Sequence, residues 1–154
     1  METIRLLLVD DEDHFRQTIA KRLAKRGLAS EQAADGNECL SILDKKVMDV
    51  VVLDVKMPGM TGIEVLRHIT AKYPKTEVIL LTGQATASEG VEGIKSGAFD
   101  YLMKPIELEH LFNKILQAYE KIQRSDAEKE EAEYRKQMEQ QILVCERLAS
   151  LGTL

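Results

Sequence analysis

The chain has 154 residues, 44% hydrophobic and 31% charged, with a formal net charge of −5. That is enough apolar material for one buried core, and the acidic balance argues against a nucleic-acid binder, which would carry a basic face. No apolar run is long enough to span a bilayer, residues 1–8 lead into acids rather than a cleavage site, and Cys39 and Cys145 lie far apart as reduced cytosolic thiols do, so a cytoplasmic setting is expected.

Taken in chain order, "IRLLLV" reads as a first strand, followed by helical spacing at Phe15, Ile19 and Leu23 and a turn at Arg26-Gly27. "ASEQAA" is a second strand whose Glu31 and Gln32 suit a sheet edge. After the turn Asp35-Gly36-Asn37 comes "DVVVLD", apolar almost throughout, then Pro58-Gly59. Ile63, Leu66, Ile69 and Tyr73 space a helix that stops at Tyr73-Pro74. "EVILLT" is the fourth strand; Val91, Ile94 and Ala98 step as a helix stripe; Ser96-Gly97 turns into "FDYLM", the fifth strand. Strands one, three and four suit burial on both faces of a parallel sheet, and the alternation with helices predicts an α/β fold with helices on both sides.

A fifth helix is predicted from about Glu107, with Leu108, Leu111, Phe112, Ile115, Tyr119 and Ile122 as its buried stripe. From Gln123 to Gln141 the chain is nearly all polar, holds no Gly or Pro, and carries pairs such as Glu131–Arg135. The helix is therefore expected to continue to about Leu151. Met138, Ile142, Cys145, Leu148 and Leu151 form a coiled-coil seam along its last part. The expected division is residues 1–121 as a globular domain and 122–154 as a helical extension.

Asp10 and Asp11 follow the first strand, Asp54 ends the third, Thr82 ends the fourth and Lys104 follows the fifth. Each alone has an ordinary reading as a cap, turn former, strand residue or solvated lysine. An open parallel sheet binds ligands outside the carboxyl ends of its strands, which brings these positions to one edge. Three close carboxylates repel, and a hard cation relieves them; oxygen-only ligands suit Mg²⁺. Lys104 supplies a second positive charge, the Thr82 hydroxyl can donate to a phosphoryl oxygen, and Asp54 can attack phosphorus. His14, His68 and His110 lack ligand spacing, and Met57 and Met60 read as loop packing.

The blocks "LLLVDDED", "VVLDVKMPGMTGIEVL", "VILLTGQ" and "GAFDYLMKPIELEHL" occur in that order and resemble the receiver domain of bacterial two-component response regulators over about residues 3–121. The resemblance implies a flavodoxin-like, doubly wound five-stranded parallel sheet in the order 2-1-3-4-5. It implies Asp54 as phosphoacceptor; Asp10, Asp11, Asp54 and the main-chain carbonyl of Lys56 as Mg²⁺ ligands; Thr82 and Lys104 as phosphoryl-binding groups; and Thr82 and Tyr101 as a switch pair. It also implies a cis bond before Pro105. Lys56 and Gln84 stand where the family tunes hydrolysis of the aspartyl phosphate, and a long Lys56 side chain over the phosphate points to slow hydrolysis. The implied partner is a histidine kinase or phosphotransfer protein.

"ERLASLGTL" resembles the start of the dimerisation and phosphoacceptor helix of sensor histidine kinases, without the phosphorylated His. The expectation is a piece of a hybrid protein cut before a kinase core, homodimeric through its C-terminal helix, with no nucleic-acid or membrane contact by this segment. The alternative is a free-standing receiver with a coiled-coil tail. An aspartate-nucleophile phosphatase is disfavoured because "VDDED" lacks the Asp-x-Asp-x-Thr of those enzymes. A pseudo-receiver scaffold is disfavoured because the acids and the lysine are all present.

Overall fold

The computed structural model describes residues 3–83 and 87–152. The elements are β1 (Leu6–Val9), α1 (Asp13–Lys25), β2 (Ser30–Ala33), α2 (Gly36–Lys45), β3 (Val50–Asp54), α3 (Gly62–Lys72), β4 (Glu77–Thr82), α4 (Ala87–Lys95), β5 (Asp100–Met103) and α5 (Leu108–Gly152). The strands form one sheet in the order β2-β1-β3-β4-β5, and every pairing is parallel. The flavodoxin-like expectation holds, with β2 at an edge.

Successive strand residues point to opposite faces, so an unbroken apolar strand serves two cores. Leu7, Val9, Val51, Leu53, Val78 and Leu80 pack on one face with Cys39 and Leu43 of α2 and Val65, Leu66 and Ile69 of α3. Leu6, Leu8, Val50, Val52, Ile79 and Leu81 pack on the other with Ile19 and Leu23 of α1 and Leu111, Ile115 and Ala118 of α5. Helix starts are set locally: Asp35 and Thr61 each accept a hydrogen bond from the backbone N–H three residues on, at Glu38 and Glu64. Glu12, at the same position before α1, makes no such side-chain bond.

The helix expected from the spacing of Val91 and Ile94 is present as α4, while Ala98 lies beyond its end and is buried. Val91 and Ile94 of α4 are exposed, at 47% and 44%. Gly90 and Gly93 face the sheet instead. A Cβ at Gly93 would stand 2.1 Å from Leu80 Cδ1, and one at Gly90 would stand 2.7 Å from the Tyr101 ring. The backbone of α4 lies too close to its neighbours for larger residues there, so its apolar side chains turn outward.

The chain divides into two units, residues 1–122 and 123–154. The second unit is the distal part of α5. It exposes Tyr134, Met138, Ile142, Leu143, Val144 and Leu148, and carries the expected Glu131–Arg135 pair at 2.7 Å. No helix among the described residues is long and apolar enough to cross a membrane.

α3 starts directly above the end of β3. The Gly62 N–H donates to the Val55 carbonyl at 2.8 Å, and a Cβ at Gly62 would lie 2.5 Å from the Asp54 carbonyl oxygen and 2.6 Å from Val55 Cα. These are backbone atoms that cannot move aside. Gly-to-Ala in a helix ordinarily stabilises by about 1 kcal/mol. Gly62→Ala is expected to destabilise instead, by about 1–3 kcal/mol as overpacking does, read as a lower urea midpoint.

Candidate functional site

The parallel register sets Val9 beside Leu53 and Asp54 beside Leu81, so the ends of β1, β3 and β4 meet at one edge. Asp10 and Asp54 are buried there, and Asp11 is exposed. One carboxylate oxygen from each of the three lies within 4.8 Å of the others. Lys104 reaches over from beyond β5. Its Nζ stands 3.0 Å from Asp10 Oδ2 and 3.6 Å from Asp54 Oδ1. The Lys104 backbone N–H donates to the Thr82 carbonyl at 2.7 Å, and the Lys104–Pro105 bond is cis, as expected. Thr82 is fully buried, and its hydroxyl has no hydrogen-bond partner among the described residues. A buried hydroxyl without a partner is costly, and it marks a place for an acceptor to arrive.

Burial pushes the Asp54 carboxyl up to about 6; the charges of Asp10 and Asp11 add to this, while Lys104 and the Lys56 backbone N–H oppose it. Burial pulls Lys104 down, but its hydrogen bond to Asp10 and the charges of Asp54 and Asp10 more than offset that, so its net shift is upward. The ammonium is firmly charged, and the nucleophile candidate is a weakly acidic carboxylate, ionised at neutral pH.

Tyr101 is half-buried against the core, with its ring over Gly90. The side chain of Lys56 is exposed. Gln84 lies outside the described residues. Two neighbours of the site come from α1. Arg16, buried, donates from Nη1 to the Asp10 carbonyl at 2.6 Å and from Nε to Gln32 Oε1 at 3.0 Å, and pairs with Asp13 at 2.9 Å. Phe15 places its ring face 4.4 Å from Lys104 Nζ. The sequence holds a signal for Arg16: residues 16, 19, 20 and 23 share one helix face, and a charge inside an apolar stripe needs partners. Phe15 reads from the sequence only as core.

All donors at the cluster are oxygens, two of them on buried carboxylates, which fits a hard divalent cation such as Mg²⁺. The fold and the site together place acids, a lysine and a hydroxyl at the carboxyl edge of a doubly wound sheet. The profile of the response regulator receiver domain matches residues 6–116. Over 112 residues the chain is 38% identical to the response regulator MprA of Mycolicibacterium vanbaalenii, covering 73% of this chain and 48% of that protein. Over 113 residues it is 38% identical to the regulatory protein AtoC of Escherichia coli strain K12, covering 73% of this chain and 24% of that one. A crystal structure of a response regulator receiver domain protein from Clostridium thermocellum superposes with a TM-score of 0.74 at 33% identity, covering 77% of this chain and 95% of that one. The chain belongs to the response regulator receiver domain family. It spans a quarter to a half of the length of those two curated relatives. Receiver domains generally bind Mg²⁺ at such an acidic pocket and interact with histidine kinases or phosphotransfer proteins.

The raised Asp54 carboxyl has a consequence for stability. Between the unfolded value, near 4, and about 6, the folded state binds more protons than the unfolded one, so stability falls as pH rises through that window. At neutral pH the ionised group therefore costs stability. Asp54→Asn is expected to be more stable than the parent at pH 7.5 in EDTA, by about 1–3 kcal/mol. The gain should fade near pH 4, where the parent carboxyl is protonated. Urea unfolding at both pH values checks it, and a gain that grows on acidification would contradict the charge assignment.

Proposed function

We propose that this chain is a phosphoacceptor of a two-component phosphorelay, taking a phosphoryl group onto Asp54 from a phosphohistidine of a histidine kinase or phosphotransfer protein in the cytoplasm. The observation that carries the reading is the meeting of Asp10, Asp11, Asp54, Lys104 and the unpartnered Thr82 hydroxyl at one sheet edge. A carboxylate oxygen of Asp54 forms the bond to phosphorus as the phosphorus–nitrogen bond to the donor imidazole breaks. Lys104 balances charge on the transferring group, and the Thr82 hydroxyl donates to one of its oxygens. Asp10, Asp11, Asp54 and the Lys56 carbonyl are the groups that would hold Mg²⁺, which supplies charge neutralisation when bound. Lys56 and Gln84 are the positions that would set the lifetime of the aspartyl phosphate.

Signalling begins at Thr82. Its hydroxyl moves toward the phosphoryl group, and Tyr101 turns into the space released. The two states need differ by only a few kcal/mol for a phosphoryl group to shift their populations. The output is α5. Its exposed residues Met138, Ile142 and Leu148 would be covered by pairing in parallel with a second copy, since each buried aliphatic side chain contributes roughly 1.5–3 kcal/mol. The resemblance of "ERLASLGTL" to a sensor-kinase helix supports a kinase as the element this pair drives.

Incubation with acetyl phosphate and Mg²⁺ is expected to add one phosphoryl mass to the intact chain. EDTA or Asp54→Asn should abolish it, and a mutant labelled at the parent rate would exclude Asp54.

The tail reading has a built-in probe. Cys39 is fully buried and its thiol is pushed up to about 12 by burial, whereas Cys145 is exposed. Mild oxidation with copper phenanthroline is expected to give a disulfide-linked dimer that Cys145→Ser abolishes and Cys39→Ser does not. Light scattering that finds a monomer at tens of micromolar, with or without beryllofluoride, would exclude the paired helix.

A further inference from the structure

Lys104 has a third neighbour besides its two carboxylates. Its Nζ stands 4.4 Å from the centre of the Phe15 ring and over its face, well inside the range of a cation–π contact. Phe15 sits in the first turn of α1, half-buried, with its ring packed on the core face that α1 and α5 cover. The ring is therefore a fixed surface, while Lys104 is a flexible stem with a quarter of its side chain exposed.

We infer that Phe15 is a positioning residue for Lys104: its ring holds the ammonium at the phosphoryl site when the carboxylates are engaged elsewhere. This rests on the phosphoryl reading of the site. Asp10 and Asp54 attract Lys104 now, but the same two groups are the ones a divalent cation needs. Each carboxylate taken by a cation loosens its hold on the lysine, and the cation repels the ammonium. An aromatic face carries no formal charge and is no ligand for a hard cation, so its attraction for the ammonium does not compete with metal binding. It also keeps the nitrogen beside the site rather than letting the stem extend into water. A leucine of comparable bulk would fill the same core space and lack the attraction.

The experiment uses the full chain with Phe15 replaced by Leu, Tyr and Trp. The first readout is the chemical shift of the Lys104 methylene next to Nζ, in EDTA. In the parent, Tyr and Trp proteins ring current moves it upfield; Phe15→Leu returns it to the ordinary lysine position. The second is the dissociation constant of beryllofluoride at saturating Mg²⁺. Phe15→Leu is expected to weaken it roughly 3- to 30-fold, while Tyr and Trp stay within about twofold of the parent. Thermal unfolding establishes that each variant is folded. Leu binding as tightly as the parent overturns the inference, and so does equal weakening by Leu and Tyr, which is the mark of packing alone. If the parent takes up no beryllofluoride, the phosphoryl reading itself fails, and the EDTA spectrum still decides whether the ring holds the lysine.

Discussion

Three carboxylates held within 4.8 Å of one another, two of them buried, are the constraint around which the rest of the receiver is arranged. Burial raises the Asp54 carboxyl, and the like charges of Asp10 and Asp11 raise it further. Among the described residues, the Lys104 ammonium stands against the repulsion. The fold supplies the force that keeps the acids together, through the apolar faces of the central strands, whose parallel register brings the ends of β1, β3 and β4 together. Asp10 adds a local tie, accepting from the Glu12 backbone N–H at 2.9 Å and pairing with Lys104 at 3.0 Å.

The supports of the site lie one layer behind it. Arg16 grips the Asp10 carbonyl and reaches the edge strand through Gln32, so the loop bearing Asp10 and Asp11 is tied to α1 and β2 together. Gly62 lets α3 begin in direct contact with the backbone of Asp54. Tyr101 lies over Gly90, which couples the ring to the backbone of α4 with no side chain between them. At Gly62 the contact is backbone to backbone, so a small displacement at the end of β3 passes into α3 without being absorbed by a flexible group.

Much of this was legible in the sequence. Unbroken apolar strands announce burial on both faces, and acids, Thr82 and Lys104 at strand ends announce one edge. The strand starts were read one or two residues early at β1, β2, β3 and β5, as element ends commonly are. The helical spacing at Val91 and Ile94 is borne out by α4, but the face it buries was not legible. Hydrophobic periodicity follows side chains, and a helix that packs through Gly90 and Gly93 places its buried face where the pattern shows nothing. Val91 and Ile94 then appear as a core stripe although they face outward. The Phe15–Lys104 contact was illegible for another reason: the two residues are far apart in sequence, and a half-buried Phe is sufficiently explained by packing.

The glycines of α4 also set its thermodynamic character. Each costs a helix interior about 1 kcal/mol relative to alanine, and a nine-residue helix has little propagation energy to offset two of them. α4 is therefore helical because the sheet beneath it and Tyr101 beside it hold it so. Its amides should exchange with solvent sooner than those of α1 or α3, and it can unwind or slide without drawing a large side chain out of the core.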